Sequence, residues 1–164
     1  MTAKRLKDFL DREGVKYVSM AHSPAYTAQE TAQAAHVQGK DFAKTVMVKI
    51  DDRLAMAVVP ASEKLDLALL KEAAGGKHVR LAMEPEFDRQ FPGCEPGAMP
   101  PFGNLYGMVV YVAESLAADE EIAFNAGSHA ELIRMAYKDF ERLVQPTKAR
   151  LSIARRPAGK VEGG

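Results

Sequence analysis

The chain has 164 residues, of which 47% are hydrophobic and 27% charged, so we expect one ordinary globular domain with a short tail. Its 22 basic and 22 acidic side chains give a net charge of zero, which argues against a protein that coats nucleic acid nonspecifically. Cys94 is the one cysteine, which excludes an internal disulfide and a multi-cysteine zinc site. Neither a signal peptide nor an uninterrupted apolar stretch is recognisable, so we expect a cytoplasmic protein with no membrane partner.

The predicted elements mix helices and strands along the chain. Helical spacing, capping residues and glycines at helix ends predict five short helices. The first ends before Gly14, and the second runs from a capping box at Thr27 and Glu30 to His36. The third is 63–74, capped by Ser62, the fourth runs from Pro85 to about Gln90, and the fifth is 139–143. Alternating or β-branched runs predict strands at 15–20, 42–50, 54–59, 78–83, 106–113 and 121–124. The periodicity of 131–137 fits either a strand or a helix.

This order of elements favours an α+β fold. Strands 42–50 and 54–59 flank a short polar turn and are typical of a hairpin, so we expect antiparallel pairing in a mixed sheet or partly closed barrel covered by short helices. After Pro146 the composition changes, because residues 147–164 carry five basic side chains and one acidic side chain. We therefore predict a domain at 1–146 and a basic, flexible tail at 147–164, either a solvated end or an RNA-contacting arm.

The segment 91–103 is the densest in proline and glycine. Five of the nine prolines lie between Pro85 and Pro101. Prolines stiffen a loop, and glycines let backbone N–H groups approach a ligand closely. Such a loop can cradle an oxyanion or a phosphate, and the alternative is a rigid turn that links two strands.

Lys44 lies in the apolar strand 42–48, on the same face as Phe42, Val46 and Val48. A lysine among apolar neighbours either extends to solvent at a strand edge or binds an anion or a carbonyl group. Sequence alone leaves both interpretations open.

The run Asn125–His129 follows a predicted strand end, so we expect these polar groups in a loop. His129 fits a general base or a hydrogen-bond donor, but no carboxylate partner for a serine triad is identifiable. The four histidines lack metal-ligand spacing, and we expect neither a metal nor a cofactor. A thiol dyad of Cys94 with a distant histidine is the formal alternative.

Four segments occur in the order His22-Ser23-Pro24-Ala25-Tyr26-Thr27, Ala43-Lys44-Thr45, Pro96 to Phe102, and Phe124-Asn125-Ala126-Gly127. In this order they resemble the YbaK/ProX family of aminoacyl-tRNA deacylases. That family is related to the editing insertion domain of bacterial prolyl-tRNA synthetase. The resemblance covers about residues 5–146. It implies a mixed, mostly antiparallel sheet that closes into a small barrel flanked by short helices. It also implies an enzyme that hydrolyses, in trans and without a metal, the ester of mischarged tRNA for translation fidelity. The implied partners are the tRNA acceptor end and an aminoacyl-tRNA synthetase, with no DNA.

The resemblance also implies the site residues. Lys44 matches the family's functional lysine, and Gly97 and Pro101 match its Gly-x-x-x-Pro loop, although Pro100-Pro101 leaves the register open by one residue. We expect Lys44 to hold a phosphate or the ribose, and amides near Gly97 to donate to the oxyanion. The residues expected to bind substrate are His22, Tyr26, Thr27, Thr45, Ala98, Met99, Pro100, Asn125, Gly127, Ser128 and His129.

Two other classes of function remain open at this point. One is a noncatalytic module of the same fold that docks on tRNA or on a synthetase. The other is a small-molecule hydrolase that uses Cys94 and His129. The sequence does not define which amino acid would be removed from which tRNA.

Overall fold

The structure is a computed structural model that describes residues 2–22, 25 and 27–154. Its α-helices in these ranges are α1 (Thr2–Arg12), α2 (Ala28–Ala34), α3 (Leu67–Ala74), α4 (Glu84–Phe87), α5 (Glu114–Ala117) and α6 (Tyr137–Val144). Its strands are β1 (Tyr17–Ala21), β2 (Ala43–Ile50), β3 (Arg53–Pro60), β4 (Glu63–Leu65), β5 (Val79–Leu81), β6 (Val109–Ala113), β7 (Glu121–Ser128), β8 (Glu131–Ala136), β9 (Thr147–Ala149) and β10 (Ser152–Ala154). Within the described ranges, no helix has the length and apolar character needed to cross a bilayer.

The strands form three sheets. Five strands are ordered β5-β2-β3-β6-β9, three are ordered β1-β8-β7, and β10 pairs with β4. Pairs β3–β6 and β6–β9 are parallel, whereas the predicted β2–β3 hairpin and the remaining pairs are antiparallel. The predicted mixed α+β architecture is therefore confirmed. Closure into a barrel is not found among the described strands, because β5 and β9 each have a strand neighbour on one side only.

The prediction for residues 62–74 is partly wrong. Residues Glu63–Leu65 form strand β4 because they pair with β10, and the helix begins only at Leu67. The helix cap is Asp66, whose carboxylate accepts the N–H of Leu69 at 3.0 Å. Ser62 is not the cap, since the strand partner for 63–65 comes from a part of the chain about 90 residues away and outweighs local helix propensity.

The predicted boundary after Pro146 is also corrected for residues 147–154. These residues form β9, which extends the five-stranded sheet beside β6, and β10, which pairs with β4. Leu151 between them is fully buried in the core. Backbone pairing and one buried leucine hold this segment on the domain despite its basic composition, and the rest of the predicted tail, 155–164, lies outside the described residues.

The proline-rich loop is anchored in the core at both ends. Phe91 at its start is 2% exposed and packs on Tyr106, with ring centroids 4.6 Å apart. Phe102 near its end is fully buried, with its ring centroid 5.5 Å from those of Phe124 and Phe140. Because two large aromatic side chains fix its ends, the loop has little freedom to move away from the sheet.

Candidate functional site

A cleft of about 290 Å³ lies between the start of α2, the start of β2, strand β7 and the proline-rich loop. Its lining residues are Thr27, Ala28, Gln29, Phe42, Ala43, Lys44, Thr45, Gly97, Met99 and Asn125. Four separate segments thus contribute to the cleft, and six of its residues are expected in the site from the sequence: Thr27, Lys44, Thr45, Gly97, Met99 and Asn125. A volume near the lower end of the usual range fits a small ligand group rather than a whole nucleotide.

At this cleft, strand β2 of the five-stranded sheet lies beside strand β7 of the three-stranded sheet. Phe42, immediately before β2, forms a parallel bridge with Ala123 of β7. Strand alternation puts Lys44 on the face of Phe42 and Asn125 on the face of Ala123. One bridge between the two sheets therefore brings Lys44 and Asn125 to the same cavity, although 81 positions separate them in sequence.

Lys44 supplies the charge of the cleft. It is half-buried on β2, opposite Val59 of β3 in the hairpin register. None of the described lining residues is acidic. A compact ammonium in such surroundings is suited to an anion or a carbonyl oxygen of a ligand.

Hydrogen bonds hold the proline-rich loop against the end of β7. The Glu95 N–H donates to the Gly127 carbonyl at 2.8 Å, and the Gly127 N–H donates to the Ala98 carbonyl at 2.9 Å. The His129 N–H donates to the Glu95 carboxylate at 2.5 Å, and His129 Nε2 lies 2.7 Å from the Pro96 carbonyl oxygen. A carbonyl oxygen only accepts, so Nε2 carries the proton in this contact. His129 therefore positions the loop, and its Nε2 is a donor rather than a base.

The prediction of a loop at Asn125–His129 is wrong for Asn125–Ser128 and correct for His129, which lies in the β7–β8 turn. Strand β7 continues through Ser128 and pairs with β8, with a bulge between Asn125 and Ser128. Gly127 within the bulge has φ +100°, which a residue with a side chain rarely adopts. The apolar alternation ends at Phe124, but the backbone still has a partner in β8, and this long-range pairing is not visible in the local pattern.

Gly97 is exposed at the cleft with φ +82°. A Cβ added there would meet the His129 ring at 3.6 Å, an ordinary contact, so the backbone conformation rather than space requires glycine. The neighbouring Ala98 N–H already donates to the Glu95 carbonyl at 3.0 Å. The backbone N–H groups of Gly97 and Met99, rather than that of Ala98, are therefore the candidates for donation to a ligand.

Other expected site residues do not line the cleft described here. Ala98, Pro100 and Pro101 are buried behind it in the loop. The His22 N–H donates to the Ala130 carbonyl at 2.9 Å, and Ser128 Oγ accepts the Ala130 N–H at 3.2 Å. Through these hydrogen bonds His22 and Ser128 hold the backbone of the β7–β8 turn at Ala130. Tyr26 lies outside the described residues.

Four contributions to the site were missed from the sequence. Ala28, Gln29 and Phe42 line the cleft, and Glu95 holds the His129 backbone. The capping box, which the structure confirms at Thr27, marked the helix start and could have indicated the first two residues. No local signal predicts the role of Glu95, whose partner is 34 residues away.

Two residues that line the cleft each carry a buried side-chain oxygen without a hydrogen-bond partner among the described residues. These oxygens are Thr45 Oγ1 and Asn125 Oδ1, and the Asn125 residue is 8% exposed. Buried polar atoms are nearly always paired, so two exceptions at one cavity indicate a place for ligand atoms. Within the described part of the chain, no three His, Cys, Asp or Glu side chains are grouped so that they could hold a metal ion.

Comparison with known proteins identifies relatives of nearly the whole chain. The family model of the aminoacyl-tRNA editing domain matches residues 22–143. The chain is 28% identical over 152 residues to the multifunctional Ser/Thr-tRNA deacylase ProXp-y of Escherichia coli (strain K12), covering 89% of this chain and 90% of that protein. It is also 28% identical over 102 residues to a proline–tRNA ligase of Shouchella clausii (strain KSM-K16), covering 62% of this chain and 18% of the ligase.

A solved structure extends the likeness to the fold. The crystal structure of a proposed trans-editing enzyme for prolyl tRNA synthetase matches with a TM-score of 0.77 and 26% sequence identity. The match covers 93% of this chain and 98% of that one. The arrangement of helices and sheets described above is therefore shared along almost the full length of both chains.

Proposed function

Because the chain belongs to the aminoacyl-tRNA editing domain family, we propose that its cleft hydrolyses the ester of a mischarged tRNA, with Lys44 and the Gly97 loop as the working groups. The chain is an aminoacyl-tRNA deacylase. The observation that carries the proposed site is the meeting of Lys44 and Gly97 in one cleft, from segments 53 positions apart in sequence.

To hydrolyse an aminoacyl ester, the protein mainly has to position the substrate and stabilise the negative charge of the tetrahedral intermediate. An aminoacyl ester is activated, so attack of water on its carbonyl carbon forms a tetrahedral oxyanion that then expels the ribose hydroxyl. The backbone N–H groups of Gly97 and Met99, the two residues on either side of Ala98, donate to that oxyanion in the manner of an oxyanion hole. The positive φ of Gly97 and the hydrogen bonds that hold Pro96 and Ala98 keep these donors in place before the substrate binds.

Lys44 orients the substrate in this proposal. Its ammonium binds the terminal phosphate or the ribose oxygens, and it offsets charge that develops on the ester. The ribose hydroxyl next to the ester relays the proton that the attacking water loses to the ribose oxygen that leaves. This division of roles requires no Ser-His-Asp set, in agreement with a His129 Nε2 that is bonded to a backbone carbonyl.

Relatives support the proposed substrate and partner. The Escherichia coli relative is named a Ser/Thr-tRNA deacylase, and the match spans 90% of its length. The match to part of a proline–tRNA ligase supports a relation to a synthetase, and the likeness to a trans-editing enzyme for prolyl tRNA synthetase supports action in trans. We propose that the partners are the acceptor end of mischarged tRNA and an aminoacyl-tRNA synthetase.

A deacylation panel tests the proposed function. The purified chain is mixed with one tRNA charged in turn with serine, threonine, alanine and cysteine, and ester loss is compared with that in buffer. The expected result is rapid hydrolysis of at least one ester well above the uncatalysed rate. If the protein binds the tRNAs but hydrolyses none of them, the deacylase assignment fails and the noncatalytic module replaces it.

A further inference from the structure

We propose that Asn125 and Thr45 recognise a hydroxyl group on the side chain of the amino acid that the cleft removes, an inference that rests on the proposed function. Both residues line the cleft, on neighbouring strands β7 and β2. Asn125 Oδ1 and Thr45 Oγ1 are each buried without a hydrogen-bond partner among the described residues.

The two atoms match the hydrogen-bonding capacity of a hydroxyl group. A hydroxyl group donates one hydrogen bond and accepts others. The Asn125 carbonyl oxygen only accepts, so it takes the ligand's proton. The Thr45 hydroxyl group can donate, so it satisfies the ligand's oxygen. Each of the two atoms therefore gains a hydrogen-bond partner when such a side chain enters, which offsets the cost of its burial.

An ammonium group fits the same place poorly. The α-amino group of every aminoacyl ester would also donate to both oxygens. However, no acidic side chain is among the described lining residues, and Lys44 brings a positive charge to the same cleft. Burying a second cation there without a carboxylate costs far more than burying a neutral hydroxyl group. The α-ammonium therefore stays toward the cleft opening, and the neutral hydroxyl group of the side chain meets Asn125.

The size of the cleft is consistent with this assignment. Phe42 and Met99 form part of the cleft wall, and the free volume inside the cleft is about 290 Å³. Small hydroxyl-bearing side chains, those of serine and threonine, fit the remaining space. Sites that hydrogen-bond a substrate hydroxyl group reject the analogue without it strongly, because the analogue leaves the protein's polar atoms unpaired.

Two nearly isosteric substitutions test the inference. Asn125→Leu and Thr45→Val each remove the polar atom while keeping much of the side-chain volume. Substrates are one tRNA charged with serine or alanine, and with threonine or valine, so that each pair differs mainly in the hydroxyl group. Asn104→Leu and Thr147→Val are matched controls, since both positions are exposed and lie outside the cleft. The readout is the ratio of kcat/KM within each pair, with the melting temperature of every variant.

The wild-type protein and both controls are expected to favour the hydroxyl-bearing ester. Either cleft substitution is expected to reduce the Ser/Ala and Thr/Val ratios by about 10-fold to 100-fold. If a folded Asn125→Leu or Thr45→Val variant slows both members of a pair equally, the ratio is unchanged and hydroxyl recognition is refuted, although deacylation stands. If the wild-type protein hydrolyses no ester at all, the proposed function itself fails, so the two failures are distinguishable.

Discussion

His129 Nε2 lies 2.7 Å from the carbonyl oxygen of Pro96, the residue that precedes Gly97. The backbone N–H of the same histidine donates to the Glu95 carboxylate, so one residue of the β7–β8 turn holds the loop at two consecutive positions, Glu95 and Pro96. The imidazole ring is in contact distance of the place where a Gly97 Cβ would lie. His129 thus acts on the proposed reaction through the position of Gly97 rather than by proton transfer.

His129→Gln is expected to keep most of the activity, and His129→Ala to lose it. A glutamine amide N–H reaches about as far as imidazole Nε2 and can donate to the Pro96 carbonyl, whereas alanine leaves that carbonyl unpaired. A shift of the loop by about 1 Å costs about 100-fold in rate, so we expect kcat to fall on that scale in His129→Ala with a smaller change in KM. Steady-state deacylation kinetics measure both parameters.

His129→Asn is the matched control for this prediction. Its amide reaches only as far as Nδ1 and should not restore the contact with Pro96. Equal activity losses in the Gln, Asn and Ala variants would indicate that the imidazole itself takes part in the chemistry, contrary to a positioning role.

Gly97→Ala is expected to lower the single-turnover rate by about 100-fold, the usual scale for loss of one oxyanion donor. Alanine at φ +82° is strained, so the loop backbone must turn away from the proposed carbonyl position. Gly75→Ala is the control, because Gly75 has φ +67° at the end of α3 and no atom near an added Cβ. Both variants should lose about 1 kcal/mol of stability from the left-handed backbone. Wild-type turnover by Gly97→Ala would remove the loop from the mechanism.

The sequence predicted the parts of the site better than their arrangement. The β2–β3 hairpin, the Thr27 capping box and the importance of Lys44 to the cleft depend on local patterns, and the structure places Thr27 and Lys44 in one cavity. The pairing of β4 with β10 and the extension of β7 to Ser128 depend on distant partners. Local periodicity carries no information on such partners, which explains the errors at Ser62 and in the predicted loop after Phe124.

Asp119 provides a pH test of the fold away from the cleft. Its side chain is 9% exposed, and burial together with the nearby Asp41 carboxylate raises the pKa of Asp119 to about 6, despite Lys40 nearby. Since the folded-state pKa lies above the unfolded value, this group's contribution to stability is fully present below about pH 4 and is lost as the pH rises through about 6. Asp119→Asn should therefore melt several degrees above the wild-type protein at pH 7.5 and at nearly the same temperature at pH 4.

Melting curves between pH 4 and pH 8 measure this difference, with Glu120→Gln as the control at an exposed neighbouring carboxylate. The control should show no growth of the difference with pH. If the Asp119→Asn difference also stays constant with pH, Asp119 does not titrate in this range.

Cys94→Ser is expected to leave kcat/KM within about twofold of wild type. Cys94 is half-buried in the proline-rich loop, its N–H donates to the Phe91 carbonyl at 3.0 Å, and its residue does not line the cleft described here. An inactive Cys94→Ser variant, together with rapid inactivation of the wild-type protein by a thiol-alkylating reagent, would favour the thiol-hydrolase alternative.

Single-turnover deacylation at saturating enzyme tests the role of Lys44 most directly, because it reports the chemical step without product release. We expect Lys44→Ala to lower this rate at least about 100-fold with little change in melting temperature. Lys44→Arg should also be impaired, since a planar guanidinium replaces a compact ammonium. Lys49→Ala, on the same strand but outside the cleft, should react at the wild-type rate. Hydrolysis by Lys44→Ala at the wild-type rate, with unchanged stability, would contradict the assignment of this cleft as the active site.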